Sequence, residues 1–308
     1  MRLFDETALR KLEQLSLSAE AVRVGAMKGN RRSRRRGTSI EFADYRDYAQ
    51  GDDLRRLDWN VYARLERPFI RLTEEEEDLA VHILVDSSGS MDWPPGDDRA
   101  GANKLRYALQ LAGGLGTIAL GSGDLVLVNL FDGGGQRGWG PFRGRQNGWP
   151  LLQFLEANYD AVRSRVGGPG LRPGTALDAA LPDYARRARR PGLLFLISDL
   201  FAPGSGRDGM IALLARGYEL AVIHVLSPDE ALPDLAGDLR LLDVETGQAA
   251  EVSLDPGRVD EYIARLRAWQ DELQDFCRPR GIHYTPVTTD TTWDALVHGT
   301  LRRQGVVR

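Results

Sequence analysis

The sequence predicts an α/β protein built on a doubly wound, mostly parallel sheet, with an N-terminal α/β extension and a small β-hairpin insertion. Three observations predict it. From residue 79 onward, short apolar runs alternate with amphipathic helical stretches, the pattern of a parallel sheet covered by helices. The first run, Ala80-Val81-His82-Ile83-Leu84-Val85, ends in Asp86-Ser87-Ser88-Gly89-Ser90, a carboxylate followed by hydroxyls at alternate positions. Upstream, residues 38–72 are dense in Arg, Asp and aromatics and show no clean period. The chain is therefore expected to divide into an N-terminal segment, 1–78, and a main domain, 79–308.

Taken in order, residues 5–22 read as a helix, with Leu9, Leu12 and Leu15 recurring among Arg10, Lys11 and Glu13. A basic run, Arg31-Arg32-Ser33-Arg34-Arg35-Arg36, follows; it reads as a phosphate contact or as a solvated loop balanced by Glu74-Glu75-Glu76-Glu77-Asp78. Within 38–72, Gly51-Asp52-Asp53 signals a turn and Pro68–Leu72 a strand. Arg55, Asp58, Trp59 and Arg64 are candidate partner contacts, because Arg and Trp anchor interfaces; the alternative is an ion-paired collar packed on the next domain.

In the main domain, strands are expected at 79–85, 125–131, 193–198, 220–225 and 282–287, and helices at 103–120, 149–163, 208–216 and 258–277. A short helical run begins at 176. Asp132-Gly133-Gly134-Gly135 turns the chain into a short antiparallel edge strand at 138–142. Residues 239–254 read as the hairpin insertion, and Trp293, Leu296 and Val297 as a closing helix. His224 lies inside an apolar run and reads as a core histidine without a role.

Bulk properties exclude several function classes. A net charge of −4 over 308 residues argues against a generally basic nucleic-acid binder. One cysteine, Cys277, excludes an internal disulfide and a Cys-based zinc site and suits a reducing compartment. Four scattered histidines argue against a His-rich metal site. No apolar run approaches the ~18 residues of a membrane helix, and the charged N-terminus lacks the apolar region of a signal peptide. A cytoplasmic protein without a membrane span is expected.

The chemistry concentrates at strand ends. In an open parallel sheet, ligands bind beyond the carboxyl ends of the strands, where the strand order reverses. Asp86, Ser88 and Ser90 leave the first strand, Asp199 leaves the strand 193–198, and Thr175 opens a helix between them. This all-oxygen set suits Mg²⁺, Ca²⁺ or Mn²⁺ rather than zinc or copper. An open coordination position would accept an acidic oxygen from another molecule. The alternative for Asp-x-Ser-x-Ser is an Asx or Ser turn capping the next helix, and for Thr175 a helix N-cap.

Asp86-Ser87-Ser88-Gly89-Ser90, Thr175 and Ser198-Asp199 resemble the metal-ion-dependent adhesion site of von Willebrand factor type A domains. Gly37-Thr38-Ser39-Ile40-Glu41-Phe42, Arg46-Asp47-Tyr48, Gly51-Asp52-Asp53-Leu54-Arg55-Arg56-Leu57-Asp58-Trp59 and Ala63-Arg64, with the acidic run and Asp-Ser-Ser-Gly-Ser-Met, resemble the bacterial DUF58 family. The resemblance covers nearly the whole chain. It implies a von Willebrand A-like, Rossmann-like fold and Mg²⁺ at Asp86, Ser88, Ser90, Thr175 and Asp199. It also implies an adaptor role with a MoxR-type AAA+ ATPase in assembly or maturation of other proteins. The leading expectation is thus a non-enzymatic binding module whose metal takes an Asp or Glu from a client protein.

Two alternatives come from other classes. An aspartate-nucleophile phosphohydrolase starts with a strand-end Asp but needs a second carboxylate two residues on, where this chain has Ser88. Nucleic-acid binding through residues 31–36 would be steeply salt-dependent, and the acidic total charge counts against it. Neither Gly-x-Ser-x-Gly nor a phosphate-binding Gly-x-x-x-x-Gly-Lys-Ser/Thr is present.

Overall fold

A computed structural model describes residues 3–4, 15–18, 41–49, 57–74, 79–95, 102–164, 177–188, 190–234, 237–243, 248–254 and 256–308. The basic run 31–36, the acidic residues 75–78, the Gly-rich loop before Thr175, and Thr175 itself lie outside the described residues, as does most of the helix expected at 5–22.

The chain forms two compact units, one of residues Met1–Val22 with Leu79–Arg308 and one of residues Arg23–Asp78. The smaller unit carries strands β1 (Glu41–Asp47) and β2 (Phe69–Glu74), paired antiparallel, with helix α1 (Trp59–Leu65) between them. Asp58 starts α1 as its N-cap, accepting hydrogen bonds from the backbone N–H groups of Asn60 (2.9 Å) and Val61 (3.2 Å). The pairing carries a register shift between Phe42 and Asp44.

The larger unit is a mixed α/β assembly around a six-stranded sheet. Its strands are β3 (Ala80–Asp86), β4 (Leu125–Asp132), β5 (Gly135–Phe142), β6 (Leu193–Ser198), β7 (Glu219–Leu226) and β10 (His283–Thr288). Their order is β10-β7-β6-β3-β4-β5. All neighbours are parallel except β5, which returns antiparallel on β4 as the edge strand. Strands β8 (Gly237–Leu242) and β9 (Ala249–Leu254) form a separate antiparallel hairpin, matching the expected insertion.

Every residue of β3, β6 and β7 is buried, which explains why these segments read as continuous apolar runs. Alternate side chains feed two cores on opposite faces. On one face Val81, Ile83 and Val85 pack with helices α2 (Lys104–Gly121), α3 (Gly148–Ser164) and α8 (Trp293–Leu296). On the other, Leu84, Leu194, Leu196 and Val222 pack with α4 (Leu177–Arg187), α5 (Arg207–Leu214) and α7 (Pro256–Cys277). A short α6 (Pro228–Ala231) follows β7. β3 and β6 run so close at their start that a Cβ on Gly192 would lie 2.0 Å from the Ala80 carbonyl oxygen.

One expectation changes. Residues 15–18, expected within a helix at 5–22, are extended: Leu17 bridges Val307 antiparallel, with Ser18 N–H on the Val306 carbonyl at 2.9 Å. Leu3, Leu15 and Leu17 belong to the sheet unit's core and not to the segment around β1 and β2. Among the described residues, no helix is long and apolar enough to cross a membrane.

Two histidines sit inside this core. His224 on β7 is fully buried, as its apolar run foretold, with Nδ1 2.7 Å from the Tyr284 hydroxyl; His82 on β3 is paired likewise with Tyr184. Burial pushes both imidazoles down to about 4, because a dry site disfavours the imidazolium. In the unfolded chain they titrate near 6.5, so the stability they contribute is complete above that pH and is lost as pH falls toward 4. Each should cost on the order of 2 kcal/mol between pH 7 and 5. Urea unfolding of wild type and His82→Gln at both pH values checks this: the variant should lose about 2 kcal/mol less, and parallel losses would refute it.

Candidate metal centre

The strand order reverses at β3, whose two neighbours β4 and β6 lie on opposite sides of it. The carboxyl ends of β3 and β6 therefore open side by side at the place where open sheets receive ligands. Asp86 is the last residue of β3 and Asp199 the first beyond β6. Both are completely buried.

Local hydrogen bonds shape each strand end in the same way. Asp86 Oδ1 accepts from Ser88 N–H at 3.0 Å, and Asp199 Oδ1 accepts from Phe201 N–H at 3.2 Å. Each is an Asx-type turn; the one at Asp86 does not cap the next helix as the alternative reading of Asp-x-Ser-x-Ser has it, because Asn103 is the N-cap of α2. Ser87 fastens its loop to β4, with its N–H at 2.8 Å and its hydroxyl at 3.0 Å from the Phe131 carbonyl. The Ser88 and Ser90 hydroxyls lie 3.0 Å apart. Ser198 links the two loops: its hydroxyl donates to Asp86 Oδ2 at 2.7 Å and accepts from Leu200 N–H at 3.0 Å. Leu200 takes φ 57°, a left-handed backbone uncommon for a residue with a side chain, which turns the chain sharply behind Asp199.

Asp86 is pushed up to about 7. Burial is the largest cause and the neighbouring charge of Asp199 the second; the Ser88 N–H and the Ser198 hydroxyl pull the other way. Ionised Asp86 is thus a strain on the fold. The stability it gives as a neutral acid is complete below the ordinary value of 3.8 and is lost as pH rises through about 7, opposite in sense to the two histidines.

A lysine completes the place. Lys104 opens α2, directly after the N-cap Asn103, and is fully buried. Its Nζ donates to Asp199 Oδ2 and to Glu230 Oε1, both at 2.7 Å. The Phe201 ring lies 5.1 Å from the ammonium. Burial alone would lower the Lys104 pKa; Asp199 and Glu230 outweigh it and the net shift is upward, so the ammonium is charged. The same helix start holds the serine loop: Lys104 N–H donates to the Trp93 carbonyl, and the Asn103 amide donates to Asp92 Oδ1 at 2.9 Å and to the Pro94 carbonyl.

Of the residues expected at the site, Asp86, Ser88, Ser90 and Asp199 arrive on two adjacent loops, and Thr175 lies outside the described residues. Among the described residues no cluster of three or more His, Cys, Asp and Glu side chains is gathered for a metal. The oxygen donors at hand are two carboxylates and two hydroxyls. Lys104 and Glu230 had not been singled out. Glu230 carried a signal, since Ser227-Pro228-Asp229-Glu230 is a capping box, with both reciprocal hydrogen bonds formed. Lys104 carried none beyond its place after Asn103. In the smaller unit, Trp59 is 64% exposed and meets Tyr62 edge-on, while Asp58 is occupied as the α1 cap and Arg64 stands in its last turn; Arg55 lies outside the described residues.

The coupling of the two carboxylates gives a test that needs no ligand. Asp199→Asn should return Asp86 toward the ordinary carboxylate range, and Ser198→Ala should drive it further up. The carboxyl ¹³C titration of Asp86 by NMR, with chelator present, reads both. An Asp86 midpoint unmoved by Asp199→Asn would mean that burial alone sets it.

Comparison with known proteins gives the chain its family. A family model described as "Protein of unknown function DUF58" matches residues 44–272. The uncharacterized protein Mb1516 of Mycobacterium bovis is 29% identical over 303 residues, 97% of this chain and 90% of that protein. The uncharacterized protein MAV169 of Mycobacterium avium is 34% identical over 153 residues, 49% of this chain and 85% of its own. Two solved structures overlap 73% of this chain at low similarity. One is an aerotolerance-related membrane protein from Bacteroides fragilis with multiple mutations to serines (TM-score 0.43, 18% identity, 99% of that chain). The other is the conserved hypothetical protein BatB from Bacteroides thetaiotaomicron (TM-score 0.41, 17% identity, 98% of that chain). The family model spans most of the sequence, and the protein belongs to the DUF58 family.

Proposed function

We propose that this protein is a non-enzymatic, Mg²⁺-dependent protein-binding module of the von Willebrand factor A type. Asp86, Ser88, Ser90 and Asp199 would hold the ion, with Thr175 as the fifth residue of the set. Ca²⁺ or Mn²⁺ suits the same donors. The observation that carries the reading is the convergence of Asp86 and Asp199, two buried carboxylates on adjacent strand ends beside the paired Ser88 and Ser90 hydroxyls. Burial and the charge of Asp199 raise Asp86, so a hard cation at this place relieves a repulsion the fold already contains. When bound, the cation supplies a Lewis-acid position for a carboxylate oxygen of a partner.

The surroundings support binding rather than turnover. Trp93, after the serine loop, and Phe201, after Asp199, are 40% and 45% exposed, and rigid aromatics are common interface anchors. Phe201 is held in place by stacking on Trp269 at 5.4 Å. The phosphohydrolase alternative needs an acid at position 88, where this chain has a serine whose hydroxyl lies 3.0 Å from that of Ser90. From the family resemblance we take the partner to be a MoxR-type AAA+ ATPase, and from the open metal position the client to be a protein presenting Asp or Glu; the single cysteine suits a cytoplasmic setting.

Titrating the purified protein against a MoxR-type ATPase, with Mg²⁺ or with chelator, tests this. Asp86→Ala separates the centre's metal from any Mg²⁺ the ATPase needs for itself. Affinity should fall by roughly tenfold or more in the variant, about 1.4 kcal/mol per factor of ten, with the circular dichroism spectrum unchanged. Equal capture by wild type and Asp86→Ala would sink the metal-bridged mechanism.

A further inference from the structure

We propose that Lys104 is a resident internal cation of this centre, competing with a divalent ion for Asp199, and that Glu230 is its alternative anchor. The pair then sets how tightly the centre binds a divalent cation. This inference rests on the metal reading above and deepens it.

The argument begins with burial. A lysine ammonium with no exposure is costly unless charges compensate it, and two carboxylates at 2.7 Å do so here. They differ in kind. Asp199 belongs to the candidate centre. Glu230 does not: it sits on α6, where its other oxygen, Oε2, accepts from Ser227 N–H at 2.8 Å and its side chain is locked into the capping box. The Tyr262 hydroxyl donates to the Glu230 carbonyl at 2.8 Å and braces the same turn. Glu230 is therefore a fixed acceptor. Lys104 can keep one ion pair intact even when Asp199 is drawn to another cation.

Asp199 is the contested group. Its Oδ2 takes the ammonium and its Oδ1 the Phe201 N–H. A divalent ion coordinated by Asp199 would stand beside a positive ammonium in a site shielded from water, where like charges repel strongly. Lys104 therefore weakens divalent binding, and it also keeps Asp199 paired when no ion is bound. A lysine serving only to brace α2 against the sheet would not act in this way.

Isothermal titration with MgCl₂, and with MnCl₂ followed by electron paramagnetic resonance, tests the assignment on wild type, Lys104→Met and Glu230→Gln. Lys104→Met removes the ammonium and keeps the stem. It should bind the ion about tenfold more tightly or better. Its melting temperature should be lower than wild type in chelator and rise more on adding Mg²⁺. Glu230→Gln leaves Asp199 as the ammonium's one ionic partner, so the ion should bind roughly threefold more weakly or worse. Should Lys104→Met fail to fold, the Glu230→Gln titration still decides. Wild type binding the ion with both variants unchanged, or Lys104→Met binding it more weakly, overturns the role of Lys104 and leaves the metal reading standing. No binding by wild type or by Lys104→Met overturns both.

Discussion

Two buried carboxylates at neighbouring strand ends, placed so that the charge of Asp199 raises Asp86, are the constraint around which this centre is arranged. The fold brings Asp86 and Asp199 together because β3 and β6 are adjacent parallel strands, and because Gly192 lets their starts approach within reach. In the β3–β6 register Val85 faces Ile197, so the two strands end nearly level. Whatever residues follow them must share one small space. Here both are Asp, and each turns its loop by accepting an N–H from two residues on.

The surroundings divide the resulting charge unequally. Asp86 is met by neutral donors, the Ser88 N–H and the Ser198 hydroxyl, and its proton affinity rises. Asp199 is met by a full ammonium. The fold thus holds one carboxyl near the point of protonation and one tied to lysine. A group that removes charge from this place, whether proton, ammonium or metal ion, stabilises it. That is the physical basis for proposing a cation site whose occupancy is adjustable.

Much of the fold was legible because its strands are buried on both faces. A fully buried strand has no polar alternation to obscure it, and β3, β6 and β7 stood out within a residue or so of their ends. The antiparallel return of β5 was visible in Asp132-Gly133-Gly134. Residues 15–18 were misread for a physical reason: Leu15 continues a helical spacing, and the partner that holds Leu17 extended, Val307, lies at the far end of the chain. Lys104 was hidden in the same way. A lysine at the start of an amphipathic helix looks like a solvated residue. Its burial comes from Asp199 and Glu230, 95 and 126 positions away. Local pattern carried the strands and the Asp-x-Ser-x-Ser cup; long-range pairing decided what fills it.

The most direct measurement of the central claim is anomalous diffraction from crystals of the protein soaked in MnCl₂. The account predicts a manganese peak between the carboxyl ends of β3 and β6, in direct or water-bridged coordination with Asp86, Ser88, Ser90 and Asp199. A map with no peak there, and Lys104 alone on Asp199 at saturating manganese, would contradict it.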